Sequence, residues 1–213
     1  MTVFADRLFG PLDVVDGHAI AALAVACLGV KETTQNRGPD VDRLVSQGGG
    51  KPSRAWPWCA YFVSAVVDEA RRRGFDVRHS VKTGRAVKHW AEAETRNQIT
   101  CADFWCLSPD MVAGLIFVRT RTSRPVTDAD RVREGAKQVQ GHTGIVLSMS
   151  QDRGLPGFIA VAGNSTGAGH SYVRGSGSVA LEHYGRGGAG ASRLVGFVDP
   201  IGAAADYLEA ARV

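Results

Sequence analysis

Trp56-Pro57-Trp58-Cys59-Ala60-Tyr61-Phe62-Val63 opens the stretch on which the fold turns. From Cys59 onward, Phe62, Val63, Val66, Val67 and Ala70 make one apolar stripe at helical spacing, with Ser64, Asp68, Arg71 and Arg72 on the other side. Arg71-Arg72-Arg73 fall in the last turn, where positive charge suits the helix dipole, and Gly74 suits the residue that closes a helix. Pro57 lies just ahead of the start, where its missing N–H costs little. The pattern predicts an amphipathic helix with a cysteine in its first turn. Backbone N–H groups without intrahelical partners gather there, and with the positive dipole end they favour a thiolate. They also suit an oxyanion formed beside the sulfur. The other reading of a lone cysteine is a small buried apolar residue.

Upstream, Ile20, Leu23, Ala24, Cys27 and Leu28 predict a helix over 19–28, with Asp16 as its N-cap and Gly29 as its end. Asn36, Gly38 and Pro39 mark a turn, a short helix is expected around 41–45, and Gly48-Gly49-Gly50 with Pro52 forces a loop. Downstream, a helix is expected over 83–93, with Ala86, Val87, Trp90 and Ala91 inward. After Cys106 the period changes. Residues 115–121, 143–149, 157–161, 179–184 and 194–198 read as strands, and glycine clusters at 167–177 and 185–190 separate the last of them. Helices first and strands afterwards predict an α+β fold in which N-terminal helices pack on an antiparallel sheet.

With 213 residues the chain is long enough for one domain with a full hydrophobic core. The reading divides it into an N-terminal extension (1–18), a catalytic domain (19–201) and a C-terminal tail (202–213) that is a short helix or frayed. At 44% apolar and 22% charged residues, a disordered tail, a collagen and a coiled coil are excluded. The net charge of +4 is compatible with an anionic polymer partner; nucleic acid is not expected. Most of that charge lies in a polar insertion at 119–140, where 119–137 holds six cations and three anions. A solvated loop is the default reading of those arginines, and contact with an anionic polymer is the other. No apolar run reaches the length of a membrane span, and no signal peptide is expected, because Asp6, Asp13 and Asp16 stand where a basic segment belongs. Cysteines at 27, 59, 101 and 106 are too few for a disulfide scaffold and form no CxxC pair, so neither a structural zinc nor a cofactor is expected. Cys101 and Cys106 read as buried thiols beside Phe104 and Trp105, with a disulfide between them as the alternative outside the cytoplasm. A monomer is favoured.

A thiolate nucleophile needs a base, and the base an orienting partner. Of six histidines, His142 stands apart, because it opens the run Gly141-His142-Thr143-Gly144-Ile145-Val146 just after the charged insertion. A histidine at the start of a central strand is held firmly and still reaches a cleft. His18, His79 and His89 are expected to face solvent or to help pack the helical half. One strand after His142, Asn164 ends a β-run next to Gly163. Its amide oxygen suits an imidazole N–H, although a turn residue is the usual fate of Asn beside Gly. Trp56 and Trp58 flank Cys59; they line a substrate groove or pack the helix entry, the latter being commoner. Glu32 reads equally as a cleft residue or a solvated helix-end carboxylate. A metal hydrolase built on His142, His170, His183 and Glu182 is disfavoured because tight ligand spacing is lacking.

Three motifs in this order, Trp58-Cys59-Ala60-Tyr61-Phe62-Val63, Gly141-His142-Thr143-Gly144-Ile145-Val146 and Gly163-Asn164-Ser165, resemble the CHAP family of cysteine, histidine-dependent amidohydrolases and peptidases. Leu28–Glu32 with Asn36–Pro39, the stretch 83–90 and the stretch 109–118 extend the likeness over roughly residues 20–200. The resemblance implies a papain-like, NlpC-type architecture, with Cys59 as nucleophile, His142 as base and then acid, and Asn164 as the orienting residue, a place that Asn, Asp or Glu takes in this family. It implies hydrolysis of an amide bond in bacterial peptidoglycan, as an N-acetylmuramoyl-L-alanine amidase or an endopeptidase, at the cell wall, from a phage lysin or a delivered effector. A papain-like protease or amidase on a non-wall substrate and a catalytically silent wall-binding module are the alternatives. The sequence departs from the family in the length of the 119–140 insertion and in Leu115, which follows Gly114 where an Asp is frequent.

Overall fold

A computed structural model describes residues 16–121, 140–152, 155–166, 176–185 and 194–212. Six helices, with several 3-10 turns, and six strands occur among them: α1 (Asp16–Ala26), α2 (Pro39–Gln47), α3 (Cys59–Arg72), α4 (Ala86–Ala91), α5 (Cys101–Phe104) and α6 (Ala203–Ala210), with β1 (Gln98–Ile99), β2 (Ile116–Thr120), β3 (Gly141–Asp152), β4 (Leu155–Ser165), β5 (Ser178–Gly185) and β6 (Leu194–Val198). The strands form one sheet in the order β1-β6-β2-β3-β4-β5, antiparallel at every pairing. The fold is α+β, as the change of period at Cys106 implies. The expected strands all form, β4 being longer than its pattern suggests; β1 and α5 escape the pattern because two and four residues carry no measurable period.

Alternation along the strands gives the sheet two apolar faces. Ile116, Val118, Ile145, Val161 and Val179 join Ile20, Leu23, Leu44, Phe62, Val63 and Val66 in a core beneath the N-terminal helices. Phe117, Phe158, Tyr184 and Phe197 form a second core with Phe104 of α5, Phe104 and Phe197 stacking at 3.8 Å between centroids. Ala204 and Leu208 of α6 pack against that second core, and the Asp199 carboxylate accepts from the Ala204 and Ala205 N–H groups, so residues 203–210 are a docked helix. Cys106 is exposed and Cys101 half-buried, and no disulfide joins them, where burial of both is expected from their neighbours.

The helix α3 lies between α2 and the strands β3 and β4. Its supposed outer side is therefore covered too. Ser64 is buried and donates to the Val81 carbonyl, and the nearly buried Asp68 pairs with Lys82 at 3.2 Å and Arg71 at 2.9 Å. Gly163 of β4 permits the close approach of the helix to the sheet: a methyl group there would stand 2.7 Å from Phe62 Cβ and 2.8 Å from Trp58 Cζ3. The N-terminus of α3 is thus seated on the sheet beside the start of β3. The charged insertion lies outside the described residues except for Arg119, Thr120, Arg121 and Gln140. Among the described residues no helix is long and apolar enough to cross a membrane.

Candidate active site

Cys59 is the first residue of α3 and almost wholly buried. The helix has no side-chain cap, and its first internal hydrogen bond runs from the Phe62 N–H to the Trp58 carbonyl at 2.9 Å. The N–H groups of Cys59, Ala60 and Tyr61 precede that bond and find no intrahelical partner. His142, the second residue of β3, is 5% exposed. Its Nε2 lies 3.0 and 3.1 Å from the two carboxylate oxygens of Glu182; its Nδ1 is buried and makes no hydrogen bond, while the Cys59 thiol is near enough to interact with the ring.

Glu182 is the residue that orients His142. It stands on β5, two strands from His142, and reaches across β4, whose inward residues there are the small Ala160 and Ala162. Ser165 Oγ donates to Glu182 Oε1 at 2.5 Å, and the Tyr184 hydroxyl donates to Oε2. Both oxygens are therefore held, which fixes the imidazole as well. Asn164 does not occupy the place expected for it. It sits in a left-handed conformation (φ 56°) where the β4–β5 register breaks between Ala162 and Ser165, and its buried Oδ1 has no hydrogen-bond partner. The turn reading of Asn beside Gly describes it, and it borders the cavity next to His142.

Electrostatics favour an ion pair. Burial pushes the Cys59 thiol up, but the hydrogen bond and charge of His142, the charge of Arg121 and the Thr143 N–H outweigh it and leave the thiol below its usual value. Burial pushes His142 down, yet the Glu182 carboxylate and Cys59 raise it to about 9. Burial likewise disfavours the Glu182 charge, and His142, Ser165 and Tyr184 overcome that to hold it at about 2. Burial and the adjacent Glu182 raise Tyr184, which stays a neutral O–H donor. The shifts of Cys59 and His142 both point toward a thiolate–imidazolium pair, beside an ionised Glu182.

The other named residues separate. Trp58 is fully buried and donates Nε1–H to Glu32 Oε1 at 2.9 Å, so it packs the helix entry and lines no groove. Glu32 is buried as well, which sequence left open between cleft and solvent. Trp56 is 52% exposed, carries the Arg54 guanidinium 4.8 Å over its ring, and borders a cavity of about 440 Å³ with Lys82, Arg85 and Lys88. His89 is buried against the Ala60 carbonyl and burial lowers it to about 4, while burial also lowers His79; both help pack the helical half. His183 meets Ser150 at 2.6 Å, and no group of three or more candidate metal ligands occurs among the described residues; His170 lies outside them.

Sequence reasoning named Glu182 only as a ligand in the disfavoured metal alternative, whereas the structure places it against His142. The available signal was an acidic residue at an inward position of a strand, on the same face as Ala180 and Tyr184. A second cavity, about 270 Å³ in volume, opens beside His142 and Glu182 and is bordered by Arg119, Arg121, Asn164, Ser165 and Thr166. Comparisons of the chain with family models, with curated proteins and with solved structures found no match in any of the three.

Proposed function

We propose that the protein is a cysteine-dependent amide hydrolase of papain-like design that cleaves bacterial peptidoglycan at the cell wall. The observation that carries the chemical part is the chain of contacts from Cys59 at a helix N-terminus through His142 to a doubly held Glu182. A helix-borne cysteine facing a histidine on an antiparallel sheet is also the arrangement the resemblance implies. The wall substrate rests on that resemblance alone.

In this reading the Cys59 thiolate attacks the amide carbon and forms the C–S bond. The charge developing on oxygen is met by the Cys59 N–H at the helix N-terminus. His142 then gives its Nδ1 proton to the leaving nitrogen as the C–N bond breaks. Water enters next. His142 takes its proton, the C–O bond forms, and the C–S bond of the thioester breaks to restore the thiolate. Glu182 keeps Nε2 protonated and the ring oriented throughout, because it accepts and never donates at that position.

Digestion of purified sacculi, with the released fragments read by mass spectrometry, tests the function. Wild type is expected to release fragments with new amine and carboxyl ends, and Cys59→Ala to release none. A cut next to the muramic acid gives the amidase, and a cut inside the peptide gives the endopeptidase. Intact sacculi of several wall chemotypes after wild-type treatment would contradict the wall substrate.

A further inference from the structure

Two arginines border the cavity beside His142, and only Arg121 figures among the charges that act on the Cys59 thiol. Arg119 is the cross-strand partner of His142 in the β2–β3 ladder, so the two side chains share a face, and Arg121 lies two residues further on that face. Both arginines border the cavity from the β2 side, while Asn164, Ser165 and Thr166 border it from the β4 side. The Arg119 guanidinium carbon stands 5.6 Å from the Tyr184 ring centroid, and its Nε is buried without a hydrogen-bond partner. Glu182 joins neither arginine in an ion pair, since His142, Ser165 and Tyr184 take its oxygens. Among the described residues that border the cavity, Arg119 and Arg121 are cations, and the carboxylate of Glu182 is already engaged by His142, Ser165 and Tyr184.

We propose that Arg119 and Arg121 form a carboxylate-binding subsite, so that the preferred substrate carries a free carboxylate next to the amide bond that is cut. This rests on the reading of Cys59 as the nucleophile, and it narrows the substrate class to acidic acyl or amine partners. A guanidinium presents N–H donors in a fork that fits the two oxygens of a carboxylate. An amidated substrate would leave that fork unpaired against a neutral group, which costs affinity. In a peptidoglycan substrate the group recognised is a free stem-peptide carboxylate rather than its amide.

Iodoacetate and iodoacetamide transfer comparable two-carbon groups to sulfur and differ in charge, so the ratio of their rates at Cys59 reads the subsite. Labelling of the full chain, resolved by peptide mass spectrometry, gives the exposed Cys106 as a reference in the same sample. The ratio at Cys59 is expected to exceed that at Cys106 by about tenfold in wild type, and to fall by about tenfold in the Arg119→Gln/Arg121→Gln double variant. Arg119→Lys/Arg121→Lys, which keeps the charges, is expected to retain most of the preference and to show that loss in the glutamine variant is not loss of fold. An unchanged ratio in the glutamine variant would overturn the subsite and leave the nucleophile standing. Failure of Cys59 to react with either reagent would overturn the nucleophile assignment and the subsite with it.

Discussion

In the proposed hydrolase, Cys59→Ala and His142→Ala are each expected to lower kcat/KM by roughly 10⁴-fold or more, because a nucleophile and its base act as one unit. Cys59→Ala removes the sulfur that forms the covalent intermediate. His142→Ala leaves the thiol in a buried setting that favours its neutral form, and removes the only proton donor beside the leaving nitrogen in the proposed mechanism. Both variants are expected to fold. Cys59 has a small side chain at a helix end, and in His142→Ala the Glu182 carboxylate keeps the hydroxyl donors of Ser165 and Tyr184. Circular dichroism and urea unfolding check the fold beside the rate assay. Activity within tenfold of wild type in either folded variant would contradict the assignment.

Glu182→Gln is expected to lower kcat by roughly 10²-fold and to narrow the pH profile from both sides. The sign follows from the charges. Glu182 raises His142 to about 9, so neutralising it lowers the histidine and brings the alkaline limb down. A less stable imidazolium supports the thiolate less well, so the acid limb moves up. Glutamine retains the shape and an acceptor oxygen, which separates loss of charge from loss of packing. A merely structural Glu182 would alter stability while leaving both limbs in place, and that result would contradict its role in positioning His142. The same profile recorded for Asn164→Ala distinguishes the two residues, since Asn164 makes no hydrogen bond to the histidine and its limbs are expected to stay where they are in wild type.

Much of the fold is legible from local pattern, because helices and strands each impose a period on the apolar residues. The stripe of Phe62, Val63, Val66, Val67 and Ala70 is buried as its spacing implies. What period cannot give is the number of sides on which an element is covered. Ser64 and Asp68 read as solvent-facing because they are polar, yet the chain at 81–83 closes over them, and their hydrogen bonds and ion pairs make that burial tolerable. The site divides along the same line. Cys59 and His142 announce themselves by local context, a helix start and a strand start. Glu182 is 40 residues from His142 and is brought to it by strand order and by the small residues between them, neither of which a single sequence displays. Asn164 carries the local signal, a polar residue after glycine at the end of a β-run, and the same signal describes the left-handed turn that it forms. For Trp58 the sequence leaves groove and helix packing open with packing the commoner, and Gly163 on the facing strand makes room for it in the core.

The thiolate–imidazolium pair is the centre of the account, and it can be measured without knowing the substrate. The decisive experiment is the rate of Cys59 alkylation by iodoacetamide between pH 4 and 10, with each cysteine read separately by peptide mass spectrometry. An acid edge for Cys59 well below the ~8.5 of an ordinary thiol is expected, with an edge at or above that value in His142→Ala. An edge in the ordinary thiol range for wild type, unmoved by His142→Ala, would contradict it.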